Sequence, residues 1–170
     1  MDIDYEVRAV PAEVRAELLV ADDSGRAAVP FADPEGGAPL RCCLRRSEAG
    51  ESLALVSYAP LRRWAAGAGT DPGAYDEQGP VFVHAGECPG PDGDEPYPFG
   101  GARRVVRRYS PEGRILGGTL VGADGIEDGV RDAFDDPEVA FVHVRAVEYG
   151  CFLYEVGPAQ GPSPSEAGRP

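Results

Sequence analysis

Two histidines and four cysteines are the side chains in this 170-residue chain best suited to proton transfer, nucleophilic attack or soft-metal binding. His84 closes the run Gly79-Pro80-Val81-Phe82-Val83-His84, and His143 lies in a near copy, Ala140-Phe141-Val142-His143-Val144-Arg145. Each imidazole interrupts a sequence that otherwise reads as a buried strand. Such interruptions mark a sheet that faces a ligand or a satisfied polar network. The two runs, brought to one place, are the expected functional centre.

The register of the last hairpin can be argued from its residues. With Glu148-Tyr149-Gly150 as a three-residue loop and Gly150 left-handed, Val147 pairs with Cys151 and His143 falls opposite Glu155. One face then carries Val142, Val144, Ala146, Phe152, Tyr154 and Val156; the other carries Phe141, His143, Arg145, Cys151, Leu153 and Glu155. A one-residue slip would mix these sets. His143 is therefore expected as acid or base, Glu155 as the carboxylate that orients it, and Arg145 as an anion clamp. His84 would be a second proton-transfer group, with Arg41, Tyr58 and Cys151 completing a substrate-binding set. The alternative for the same face is a solvated charge network.

A zinc reading would use His84, Cys88, His143 and Cys151, an acceptable two-histidine, two-cysteine set. Their spacings match no short metal motif. Cys42 and Cys43 fall on an expected strand over residues 40–45, where neighbours point to opposite faces and cannot share an ion; Cys42 reads as a small core residue. Cys151 or Cys88 assisted by histidine gives a thiol-nucleophile alternative. The reading adopted uses neither metal nor cofactor.

Absences narrow the chemistry. Every basic residue apart from histidine is arginine, which excludes a Schiff-base lysine and a phosphate-loop lysine. Two histidines exclude a three-histidine zinc site, and there is no Gly-x-Ser-x-Gly elbow. What remains is a cofactor-independent acid-base enzyme of isomerase, lyase or cyclase type, acting on a small carbonyl-bearing or anionic metabolite. A non-catalytic ligand-binding or protein-interaction domain is the rival. The net charge of −13 argues against nucleic-acid and membrane partners. With no apolar run long enough to span a membrane and no signal sequence, a cytoplasmic location with reduced thiols is expected. The oligomeric state stays open.

The elements that must position these groups can be placed. A strand is expected over 4–10 and a helix over 11–19, followed by a loop over 21–38. A hairpin pairs 40–45 with 52–58, a helix covers 60–66, and a second hairpin joins 102–109 to 114–121 through Ser110-Pro111-Glu112-Gly113. A helix over 125–134, capped by Asp124, precedes the last hairpin. These make one α+β domain over 1–156, mainly antiparallel, with short helices packed on one face. The histidine site would occupy the other face or one end, beneath the loop from Gly86 to Gly101. Residues 157–170, rich in Gly, Pro and Ser, read as a disordered tail.

Several segments together resemble the bacterial family known as domain of unknown function 1203. They are Pro39-Leu40-Arg41 with Leu44, Gly50-Glu51 and Tyr58; Gly79-Pro80-Val81-Phe82-Val83-His84; Asp136-Pro137 with Val139 to Val144; and Gly150-Cys151-Phe152. The resemblance implies that His84, His143 and Cys151 belong to one constellation, and it implies no activity. Many family members carry cysteine where this chain has Leu40, and a second histidine where it has Arg145. Both departures count against a thiol or multi-histidine mechanism here.

Overall fold

The computed structural model describes residues 4–159. In chain order the elements are β1 (Tyr5–Arg8), α1 (Ala12–Val20), β2 (Phe31–Ala32), β3 (Ser52–Tyr58), α2 (Pro60–Ala68), β4 (Gly79–His84), β5 (Arg104–Tyr109), β6 (Ile115–Val121), α3 (Ile126–Phe134), β7 (Phe141–Ala146) and β8 (Phe152–Pro158), with a 3-10 turn at Gly73–Tyr75. The named strands pair antiparallel, so the fold is α+β and built from hairpins. Residues 9–59 and 78–99 gather into one compact unit, and residues 4–8, 60–77 and 100–159 into a second.

The second unit is a five-stranded sheet in the order β1-β8-β7-β5-β6. Its β5-β6 hairpin closes as its residues demand: the Ser110 N–H donates to the Arg114 carbonyl, and Gly113 takes the left-handed conformation at φ 78°. In the β7-β8 hairpin, His143 lies opposite Glu155 and Gly150 is left-handed at φ 69°, both as expected. The route to that register differs from the expected one. Ala146 closes on Cys151, which lengthens the turn by one residue, and a bulge after Val144 leaves Leu153 without an opposite residue. The two shifts cancel. Their local effect is to place Phe152 opposite Arg145 and edge-on to His143, with ring centroids 4.9 Å apart.

Alternation puts Tyr109, Phe141 and His143 on one face of this sheet and Val106, Val142 and Val144 on the other. Leu61, Trp64 and Ala65, at helical spacing in α2, bury themselves against Tyr109 and Phe141. Gly129 of α3 lies against Val106 and Val121. The helices of this unit thus take opposite faces rather than sharing one, because both faces are apolar and both need cover. The cap expected from Asp124 is not made; Gly125 holds the N-cap position without a side-chain bond. Strand β8 runs to Pro158, opposite Tyr5, so Gly157 and Pro158 belong to the sheet and not to a tail. Residues 160–170 of the expected tail lie outside the described residues.

In the first unit the sheet order is β2-β3-β4. Leu53, Ala54, Val56, Val81 and Val83 are buried, and α1, opened by Pro11, buries Val14 and Leu18 one turn apart. The strand expected over 40–45 is absent. β2 takes the Ser52–Leu53 end of β3, where the hairpin partner would have begun, and Leu40 makes a single parallel bridge to Phe82 of β4. Instead the chain reverses sharply. Pro39 bridges Arg46, the Leu40 N–H donates to the Arg45 carbonyl and the Leu44 N–H to the Leu40 carbonyl. Leu44 adopts φ 59°, a left-handed conformation uncommon for a leucine.

Candidate metal centre

The tight turn changes what two adjacent cysteines can do. On a strand their side chains would diverge; here both sulfurs face the imidazole of His84, at the end of β4. The Nδ1 atom of His84 is 3.4 Å from Cys42 Sγ and 3.7 Å from Cys43 Sγ. Cys88 comes back to the same point from the loop after β4. The donor atoms of Cys42, Cys43, His84 and Cys88 all lie within 4.8 Å of one another. Cys42, Cys43 and His84 are buried and Cys88 is half-buried.

Backbone bonds hold these groups in place. The Arg41 N–H donates to the Phe82 carbonyl and the Val10 N–H to the Arg41 carbonyl, which fastens the cysteine turn beside β4. The His84 N–H donates to Cys42 Sγ at 3.3 Å. Arg15 on α1 reaches the carbonyls of His84 at 2.9 Å and Gly86 at 2.5 Å, which sets the course of the chain from His84 toward Cys88.

The distances suit an ion. Zinc bonds of ~2.3 Å to sulfur and ~2.0–2.1 Å to nitrogen, arranged tetrahedrally, separate a sulfur from a nitrogen ligand by ~3.5–3.6 Å. The two sulfur–nitrogen distances at His84 bracket that value. The far side of the ring is arranged to match. His84 Nε2 lies 3.2 Å from Glu51 Oε1 and 3.3 Å from Arg45 Nη2. Arginine only donates, so the tautomer that bonds Glu51 carries its proton on Nε2 and leaves the Nδ1 lone pair pointing at the sulfurs. Arg45 in turn grips Glu51 through both oxygens, at 3.0 and 2.6 Å, and the Glu48 N–H adds a third bond at 2.7 Å. A carboxylate behind a ligand histidine is a recurring support for bound zinc.

The charges follow from the same contacts. Arg45 first, then the Glu48 N–H, hold the Glu51 carboxyl down at about 2. The Cys42 thiol donates to Cys43 and so lowers the Cys43 thiol to about 6, aided by the Arg45 N–H and by the Arg45 charge. Cys42, as that donor and by burial, is pushed well above the ordinary thiol range. The two adjacent thiols are thus driven apart, Cys43 toward the thiolate and Cys42 away from it.

The residues expected to form one centre fall in two units. His143 belongs to the unit of the five-stranded sheet and His84 to the other, and the groups at hydrogen-bond or ion-pair distance from each belong to its own unit. His143 is 0% exposed, packed among Tyr109, Phe141 and Phe152 with centroid distances of 4.6, 5.3 and 4.9 Å. Its Nε2 stands 3.5 Å from Glu155 Oε2, an ion-pair contact without hydrogen-bond alignment, since neither ring nitrogen has a hydrogen-bond partner. Burial holds His143 below the ordinary histidine range, against the smaller opposite pull of Glu155. Glu155 bonds instead to Arg8 of β1 at 2.9 Å, both side chains buried. This is a sealed arrangement that ties β1 to β8, not an open acid-base pair.

The expected substrate-binding residues also take structural positions. Arg145 lies 2.8 Å from Glu77, whose carboxylate also holds Arg107 at 2.7 Å. Arg41 is buried and turns its guanidinium back onto the Pro39 carbonyl at 2.5 Å. Tyr58 is buried at the end of β3. Cys151 sits before β8 with its sulfur 3.8 Å from the Tyr149 carbonyl and is not in the metal-competent group. Of the zinc set drawn from sequence, His84 and Cys88 stay and His143 and Cys151 give way to Cys42 and Cys43. A cleft of ≈ 440 Å³ beside Trp64 and Phe141 and another of ≈ 710 Å³ beside Phe31 and Leu55 are lined by neither histidine. The usable signal was the nearness of Cys88 to His84 in the chain, together with the doubled cysteine.

No curated protein and no solved structure matches the chain. The family model described as protein of unknown function (DUF1203) matches residues 37–157, a span that holds Cys42, Cys43, His84 and Cys88, and the chain belongs to that family.

Proposed function

We propose that this chain is a metal-binding protein that holds one zinc-class divalent ion through Cys42, Cys43, Cys88 and His84. The observation that carries this reading is the approach of four soft or borderline donors to within 4.8 Å of one another, with a buried imidazole aimed at two sulfurs and backed by Glu51. Three thiolates favour zinc over magnesium or calcium, which take oxygen ligands. Four protein ligands fill a tetrahedron, the pattern of a structural rather than a catalytic zinc. Bound there, the ion would fasten the turn over 40–46 and the loop bearing Cys88 to β4.

The test is metal content. The reduced full chain, loaded with zinc and passed through a desalting column, is expected to carry one ion per chain by elemental analysis. Failure to retain stoichiometric zinc would sink the reading.

A second reading is favoured by the chain of contacts from Cys43 through His84 to Glu51, which has the order nucleophile, base and orienting carboxylate. It predicts that metal-free protein is alkylated at Cys43 by a small electrophile, with the rate falling in Glu51→Gln. Unchanged alkylation in that variant would leave the zinc reading standing alone.

A further inference from the structure

Resting on the metal reading, we propose that Cys88 is the oxidisable ligand of this centre, and that peroxide joins it to Cys43 in a disulfide and releases the ion. The asymmetry of the four ligands points there. Cys42, Cys43 and His84 are buried and belong to a tight turn and a strand end, whereas Cys88 is half-buried, outside any helix or strand and followed by Pro89 and Gly90. Of the three thiols it is the one an oxidant in solvent meets first.

The choice of disulfide partner is geometric. Cys42 and Cys43 are consecutive, and a trans peptide, with no cis bond here, fixes consecutive Cα atoms ~3.8 Å apart. An ordinary disulfide spans ~4.4–6.8 Å, so a bridge within the pair is strained. A bridge from Cys88 to either cysteine of the turn carries no such constraint. Each sulfur accepts a main-chain N–H, that of His84 on Cys42 and that of Arg45 on Cys43, but Cys42 lies closer to Nδ1 and is the more tightly held of the two. Cys43 is the freer partner.

The chemistry balances in two steps. The Cys88 sulfur attacks one peroxide oxygen, the O–O bond breaks, hydroxide leaves and a sulfenic acid forms. The Cys43 sulfur then attacks the Cys88 sulfur, the S–O bond breaks and the oxygen departs as hydroxide. Each sulfur gives up one electron, peroxide takes both, and zinc stays divalent throughout. The ion loses two anionic ligands of four and gains none. A dithiol reductant returns the pair to thiolates.

The experiment uses the full chain loaded with zinc and exposed to a small excess of hydrogen peroxide. Ion release is followed with a chromophoric chelator and the cross-link is mapped by mass spectrometry of unreduced peptides. The expected result is one zinc released per chain, a peptide pair joining Cys88 to Cys43, and reloading after reduction. In Cys88→Ser, the zinc that still binds is expected to leave at least tenfold more slowly under the same oxidant. Zinc that binds but is retained, or a cross-link lacking Cys88, overturns this proposal and leaves the metal reading intact. A chain that takes up no zinc overturns both.

Discussion

Cys42 and His84 are joined twice, by the His84 main-chain N–H on the cysteine sulfur at 3.3 Å and by the imidazole Nδ1 at 3.4 Å from the same sulfur. A residue so held has its lone pairs aimed before an ion arrives, and little ordering remains to be done on binding. Cys42→Ser is therefore expected to weaken zinc binding by about a hundredfold or more, since a serine hydroxyl is a poor substitute for a thiolate ligand. Cys151→Ser is expected to leave affinity unchanged. Competition against a chelator of known affinity measures both, and equal losses in the two variants would remove Cys42 from the site.

Glu51 acts through His84. Glu51→Gln keeps the shape but weakens the acceptor behind Nε2–H, and zinc affinity should fall about 10- to 100-fold, the usual effect of losing such a support. The fold should survive, because Glu51 lies in the connection preceding β3 and outside the hydrophobic core. A variant with wild-type affinity would show that the carboxylate serves only Arg45.

The thiol pair predicts a pH dependence of the metal-free chain. Cys43 is lowered to about 6 from 9.0, so between those values the unfolded chain holds a proton that the folded chain has lost, and stability rises with pH. Cys42 is shifted the other way, so above about 9 the unfolded chain ionises where the folded one does not, and stability falls again. Ultraviolet thiolate absorbance of Cys88→Ser should show one thiol titrating near pH 6. A flat trace below pH 8 would contradict the shared proton.

His143 carries its own pH signature. Its folded value lies below 6.5, so as pH drops from 6.5 the unfolded chain takes up a proton that the folded chain refuses, and stability declines. His143→Phe, close in size and surrounded by rings, should flatten this decline in urea titrations at pH 5 and pH 7. An undiminished slope would place the acid sensitivity elsewhere.

These elements show how far the residues themselves could be read. The pairing of His143 with Glu155 was legible because a slip would have mixed apolar and charged side chains, a penalty that local sequence encodes. The exposure of that face was not. Whether a sheet face is wet depends on what packs over it, here Leu61, Trp64 and Ala65 of α2 on Tyr109 and Phe141, the rings beside His143. The error at Cys42 and Cys43 was of another kind. Residues 40–45 alternate well enough for a strand, but β2 occupies the start of β3 where the pairing would begin, and Leu40 bridges β4 instead. His84 and Cys88 were marked by residue type; their two partners were hidden by an assumed extended backbone.

The Arg8 and Glu155 pair gives a stability prediction. Arg8→Met leaves a carboxylate buried without its guanidinium and should cost about 3–5 kcal/mol in urea unfolding. Removing both charges, as Arg8→Met with Glu155→Leu, should recover much of that loss, because an apolar pair of similar volume needs no desolvation. A single variant as stable as the parent would mean that Glu155 finds another donor.

The order of the elements along the chain bears on how the protein is made. The sheet that contains β1 pairs it with β8, its neighbour in space, so a strand near residue 5 waits for one near residue 155 to be synthesised before it can be paired. The thiol-bearing unit has no such delay, because all four ligands have been synthesised by residue 88. On the zinc reading, a nascent chain would capture an ion while the five-stranded sheet is still incomplete, and metal supply during translation would become a folding variable in its own right.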